Sequence, residues 1–127
     1  MLSRTAGILP AFAEPFARRI SFMTQKSRRQ MLEEFVAKNP KDAFARYGLA
    51  LECATSGDSQ AAVEHFQQLL AHNANYVPGY YHFGQLLVKL ARRDEARKIL
   101  SDGIQVAAKA GDMHARDEME AALRELD

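Results

Sequence analysis

The chain has 127 residues, of which 47% are apolar and 26% charged, and these proportions are typical of one globular domain rather than a disordered chain. Its single cysteine, Cys53, excludes an intramolecular disulfide and favours a reducing compartment. Residues 31–127 carry 11 basic and 15 acidic side chains, so the net charge of +1 comes from the basic residues 1–30, and the body has no positive excess with which to bind nucleic acid.

The head, residues 1–22, is predicted to be a flexible basic extension. Pro10 and Pro15 interrupt any early helix, and the apolar run over 6–13 is too short to span a bilayer, so no membrane anchor is expected. Two other interpretations stay open. The Arg-rich, acid-poor composition is typical of an organellar presequence, and translation that starts at Met23 would leave no head at all.

Small and large apolar residues recur along the body at a spacing of 34. The pairs are Tyr47 and Tyr81, Leu49 and Phe83, Ala50 and Gly84, Gly57 and Ala91, Ala62 and Ala96, and Phe66 and Leu100. A 34-residue period is the length of one helix-turn-helix unit of a solenoid. The spacing predicts two units, over 43–76 and 77–110, each with two helices.

Two further helices are predicted at the ends of the repeats. Residues 24–38 are interpreted as the second helix of an incomplete earlier unit, and residues 112–126 form an amphipathic capping helix with Met119 on its apolar face. Asp42, Asp58 and Asp112 are expected to cap helices. The second unit has Ala91 where the first has Gly57, so its inner turn is expected to be less sharply defined.

These residues resemble the tetratricopeptide repeat. Leu49, Ala50, Gly57, Ala62 and Phe66 carry the resemblance in the first unit, and Phe83, Gly84, Ala91, Ala96 and Leu100 carry it in the second. The resemblance implies an all-α, right-handed helix-turn-helix solenoid. It also implies close helix contacts at four small residues, Ala50, Ala62, Gly84 and Ala96.

No motif in the chain indicates an enzyme. The four histidines, at 65, 72, 82 and 114, are scattered and do not pair with Cys53 at the spacing of a zinc site. The glycines form no phosphate-binding loop. Cys53 falls on the inner face of a first helix, where a small buried residue is usual. We therefore expect no catalysis, no metal and no cofactor.

The resemblance implies instead a function in binding a protein or peptide. In this family the concave face is lined by the first helices, and the corresponding residues here are Tyr47, Leu51, Tyr81, His82, Gln85 and Lys89. Aromatic side chains offer rigid contact area with a polar tip. The chain is therefore interpreted as a cytoplasmic adaptor or scaffold. The Lys, Asn and Arg residues with which some relatives clamp a chaperone tail are absent, which disfavours that partner.

Two alternatives remain for the apolar residues near the first unit. Phe44, Tyr47 and Leu51 would serve only packing if they contact the preceding helix. Phe35, Val36 and Phe44 would favour a homo-oligomer if the N-terminal end of the solenoid is poorly covered.

Overall fold

A computed structural model of the protein describes residues 26–127, and this part of the chain contains six α-helices and no strand. The helices are α1 (Arg28–Lys38), α2 (Ala43–Thr55), α3 (Ser59–His72), α4 (Val77–Lys89), α5 (Arg93–Ala110) and α6 (Met113–Glu125). Each packs on the next, and α4 also contacts α2 and α6. The predicted all-α helical solenoid is confirmed. The head, residues 1–22, lies outside the described residues.

Four of the helices begin at a side-chain cap. The carboxylates of Asp42, Asp58 and Asp112 each accept a hydrogen bond of 2.9 to 3.2 Å from the amide three residues further on. Ser27 and Gln30 cap α1 reciprocally, so this helix begins at Arg28, later than predicted. The caps satisfy backbone donors that would otherwise have no partner in the first turn.

The paired helices approach closely at small residues. Ala50, Ala62 and Ala96 are all 0% exposed. A Cβ atom added to Gly84 would lie only 2.5 Å from Cδ2 of Leu100, so α4 can approach α5 this closely only because residue 84 has no side chain. The separation of the two helices in the second unit therefore depends on Gly84 and also on Gly103, where an added Cβ would lie 2.6 Å from Cβ of Tyr80 in α4.

The two units are joined by aromatic packing. The ring of Phe66 in α3 stacks on the ring of Phe83 in α4, with centroids 5.4 Å apart and planes 11° apart. The hydroxyl of Tyr80 donates a 2.8 Å hydrogen bond to the carbonyl oxygen of Ala74 in the connecting loop. Ring packing and the loop bond together fix how α4 sits on the first unit.

The two ends of the solenoid are covered differently. At the C-terminal end, α6 buries Met119 completely and leaves Leu126 only 6% exposed. At the other end, Val36 packs into the core with α2 and is buried. The expectation that Val36 is exposed is therefore wrong. Phe35 stays 46% exposed, and Phe44 is 76% exposed, so packing on the preceding helix does not bury it.

The turn between α4 and α5 keeps the geometry of its counterpart in the first unit. The amide of Arg92 donates to the Leu87 carbonyl at 2.9 Å, as Asp58 does to Cys53. Ala91 achieves this with a φ of 62°, in the left-handed region that Gly57 occupies at 88°. The expectation of a less sharply defined turn is wrong, because the turn forms at a cost in backbone strain on the order of 1 kcal/mol.

Ala91→Gly should therefore stabilise the protein by about 1 kcal/mol, because glycine adopts this φ without a Cβ clash. Urea unfolding would measure the change. Ala108→Gly, at an exposed position within α5, is the matched control and should destabilise by about 0.5–1 kcal/mol. A loss of stability in both variants would mean that Ala91 is not strained.

Gly84→Ala should destabilise the protein by about 1–3 kcal/mol, because its Cβ would overlap Leu100. Gly48→Ala is the matched control within α2. There a Cβ would meet Leu32 at 3.6 Å, an ordinary contact, so alanine should stabilise the helix by about 0.5–1 kcal/mol. Melting curves of the two variants that shift in the same direction would contradict this account of helix spacing.

Candidate functional site

The first helices of the two units and the capping helix present one face of the solenoid. Along α4, Phe83, Gly84 and Leu87 turn into the core, whereas Gln85 and Lys89 are exposed. Since α2 and α6 both contact α4, the outward sides of these three helices form a continuous surface. We call it the groove face and define it by Tyr47, Tyr81, His82, Gln85 and Glu118.

Four rings follow one another across the groove face. The centroid of Tyr76 lies 5.3 Å from that of Tyr47. Tyr47 lies 5.6 Å from His82, and His82 lies 5.4 Å from Tyr81 in an edge-to-face arrangement. These distances are those of direct aromatic contact. We call Tyr76, Tyr47, His82 and Tyr81 the aromatic row; it runs from the loop before α4 across α2 and onto α4.

The structure brings together four of the six residues proposed from the sequence. Tyr47, His82 and Tyr81 belong to the aromatic row, and Nε2 of Gln85 donates a 2.9 Å hydrogen bond to the Tyr81 hydroxyl. The remaining two lie one helical turn further on. Leu51 is partly buried against the core, and Lys89 is exposed at the end of α4.

A cleft of about 240 Å³ opens beside Tyr81, between α4 and α6. It is lined by Val77, Pro78, Tyr81, His82, Asp112, Ala115 and Glu118. One wall is therefore aromatic, and the other carries carboxylates. Asp112 uses its carboxylate to cap α6, whereas Oε1 of Glu118 lies 2.6 Å from Nε2 of the exposed His114.

Sequence reasoning missed Tyr76 and Glu118. Tyr76 is the N-cap of α4 and closes the first unit, so it was not counted with a first helix. Glu118 was hidden by a two-residue shift, since the N-caps Asp42, Tyr76 and Asp112 are spaced by 34 and then by 36. Glu118 lies as many residues after its N-cap, Asp112, as His82 lies after Tyr76, the N-cap of α4, so the two residues occupy equivalent positions in α6 and α4.

The rings of the aromatic row are electrically neutral near pH 7. Burial lowers the pKa of His82 below its ordinary 6.5, and the Glu118 carboxylate opposes this only in part. Burial raises the pKa of Tyr81, and the carboxylates of Glu118 and Glu125 raise it further. The groove face at this point therefore combines uncharged rings with negative charge.

Other reactive side chains lie away from the groove face or in the core. Cys53 is 0% exposed, and burial raises the pKa of its thiol, which makes it a poor nucleophile. Within residues 26–127, no three histidine, cysteine or carboxylate side chains are grouped as metal ligands. In the same range, no helix has the length and apolar character needed to cross a membrane.

Comparison with known proteins gives one family. The family model described as tetratricopeptide repeat matches residues 54–116. A curated TPR repeat-containing protein of Pseudomonas aeruginosa is 32% identical over 96 residues, which are 76% of this chain and 91% of the relative.

Solved structures give the same fold. A tetratricopeptide repeat domain protein from Salinibacter ruber superimposes with a TM-score of 0.66 at 33% identity, over 69% of this chain and 89% of that one. PcrH, solved in complex with the chaperone binding region of PopD, superimposes with a TM-score of 0.74 at 14% identity, over 98% and 92% of the two chains. At 14% identity the likeness concerns the fold alone.

Stability should fall as the pH is lowered from 7 towards 5. Burial lowers the pKa of His65 and His82, and Arg46, whose Nη1 lies 3.3 Å from Nδ1 of His65, also lowers that of His65. As the pH falls, the two histidines are protonated in the unfolded chain before they are protonated in the folded chain, because their pKa is lower in the folded chain. The stability that the neutral histidines contribute is therefore complete above their unfolded-state pKa of 6.5 and is lost as the pH falls through their folded-state pKa values.

Urea unfolding at a series of pH values measures this loss. Replacing both histidines with glutamine should flatten the profile between about pH 7 and 5. The carboxylate of Asp58 accepts a hydrogen bond from the backbone amide of Ala61 and pairs with Arg29, and both contacts lower its pKa. Its contribution therefore falls in a separate window below its ordinary pKa of 3.8. A double variant as steep as the parent between about pH 7 and 5 would show that other groups carry the dependence.

Proposed function

Because the chain belongs to the tetratricopeptide repeat family, we propose that it is a non-enzymatic protein-interaction module that holds a peptide or a segment of another protein on its groove face. It acts as an adaptor or scaffold in the cytoplasm, with no cofactor, and its partner is a protein rather than a nucleic acid or a membrane. The binding residues are Tyr47, Leu51, Tyr81, His82, Gln85 and Lys89, together with Tyr76 and Glu118.

The observation that carries the proposal is the aromatic row. Interface anchors are enriched in aromatic side chains, because such rings offer a large contact area and lose little rotamer entropy on binding. Here Tyr47, His82 and Tyr81 contact one another and remain accessible on neighbouring helices. The rings are thus held in place before a partner arrives, which lowers the cost of binding.

A solved structure of this fold supports the same use. PcrH is seen in complex with the chaperone binding region of PopD, so a solenoid of this shape accommodates part of another protein. The likeness in fold does not extend to the partner, and nothing about PopD is carried over to this chain.

Self-association is the second candidate function, favoured by exposed apolar side chains at the N-terminal end. Met31 is 53% exposed, Phe35 46% and Phe44 76%. Side chains of this kind, when contiguous, favour contact with another protein surface. This hypothesis places the interface on α1 and the start of α2, away from the cleft between α4 and α6.

Tyr81→Ala should weaken partner binding by about 2 kcal/mol or more, since it removes the ring of the aromatic row that lines the cleft between α4 and α6. The experiment compares recovery of a partner from a lysate of the source cells by the parent, by Tyr81→Ala and by Phe35→Ala, with each variant first shown to be folded by circular dichroism. Phe35→Ala is the matched control, because it removes an exposed aromatic side chain on α1.

Loss of the partner with Tyr81→Ala alone supports the groove face. Loss of the partner with Phe35→Ala alone would indicate that the interface lies at the N-terminal end. Light scattering of the purified protein then tests self-association directly, since a dimer that Phe35→Ala dissociates would favour the second candidate function.

A further inference from the structure

We propose that the segment bound on the groove face carries an arginine side chain, which enters the cleft between Tyr81 of α4 and Glu118 of α6. The inference rests on the proposed function and adds to it the chemistry of the partner. Its ground is charge complementarity between the cleft and a planar cation.

The walls of the cleft are of two kinds. Tyr81 and His82 supply rings on the α4 side, and Pro78 and Ala115 supply apolar surface. Glu118 supplies a carboxylate on the α6 side. A guanidinium group is the side chain that suits both walls, because it stacks on an aromatic face and pairs with a carboxylate through the same planar fork.

The charges near the aromatic row are negative. The carboxylates of Glu118 and Glu125 raise the pKa of Tyr81, and Asp42 does the same for Tyr76 at the other end of the row. Lys89, the basic residue on the same helix face, lies eight residues beyond Tyr81, or about 12 Å along the helix. The described residues therefore place negative charge at the cleft and leave a cation to be supplied by the ligand.

His82, the imidazole that lines the cleft, does not supply that cation at pH 7. Burial keeps the pKa of His82 below 6.5, so its ring is neutral. His114 contacts Glu118 through Nε2 at 2.6 Å, and its side chain is 87% exposed. Glu118 lines the cleft and His114 is not among its lining residues, so a guanidinium bound in the cleft would meet Glu118.

The cleft continues into the aromatic row. This continuity indicates which kind of side chain should lie next to the arginine in the ligand. His82 lines the cleft and also contacts Tyr47, which in turn contacts Tyr76. An apolar or aromatic side chain next to the arginine in the ligand would therefore lie over Tyr47 and Tyr76. The expected ligand is a short segment with an arginine beside a large apolar residue.

The test uses a phage-displayed library of random dodecapeptides, selected in parallel on the parent protein and on three folded variants. Glu118→Gln keeps the shape of the side chain and removes its charge. Glu64→Gln makes the same change at an exposed position of α3 and is the matched control. Tyr81→Ala reports whether the selected peptides bind on the groove face.

The parent and Glu64→Gln should select peptides enriched in arginine, and Glu118→Gln should lose this enrichment. A selected peptide is then synthesised with arginine or with citrulline, its neutral isostere. Citrulline should weaken binding to the parent about tenfold and should have little further effect on Glu118→Gln, since the charge partner is gone.

Two results would overturn the inference, and they differ in their consequence. Peptides that require Tyr81 but show no preference for arginine, or a preference for acidic residues, refute the arginine and leave the proposed function standing. Selection of no peptide that depends on Tyr81 refutes the inference and the groove-face function together.

Discussion

The close approach of paired helices at small residues is the constraint on which the rest of this structure depends. Gly84 allows α4 to lie so near α5 that an added Cβ would overlap Leu100, and Ala62 and Ala96 are fully buried in the second helices. Residue 84 therefore has to face α5. The face of α4 that packs on α5 is thereby fixed, and so is the face that carries Tyr81 and Gln85.

The groove face follows from that packing rather than from any local preference of its own residues. Once Phe83 and Leu87 are directed into the core, the helical period directs Tyr81 and Gln85 the other way. The same period in α2 directs Tyr47 towards His82. The rings of Tyr47 and His82, which are 35 residues apart in the chain, thus come to lie side by side, and no motif in either helix by itself would reveal it.

Much of this arrangement could be predicted from the sequence, because periodicity decides it. The helices and the side of α4 that faces the core depend on spacing and small residues, which are visible in the chain. The strain at Ala91 could not be predicted, since hydrogen bonds to Leu87 and Val88 hold an alanine in a conformation it disfavours. Glu118 escaped prediction because α5 is longer than α3, which moves α6 two residues out of the 34-residue period.

The position of the cleft has its own physical reason. The helix that supplies Tyr81 and His82 packs against α2, α3, α5 and α6, whereas α1, at the exposed end, packs on α2. Side chains on a helix held from several sides keep their geometry, so less conformational entropy is lost when a partner binds them. Met31 and Phe35 offer apolar area on a helix that has fewer neighbours among residues 26–127, and the rotamer freedom that their side chains would lose offsets part of what their burial contributes. Of the two surfaces, the one between α4 and α6 is thus the better suited to specific recognition.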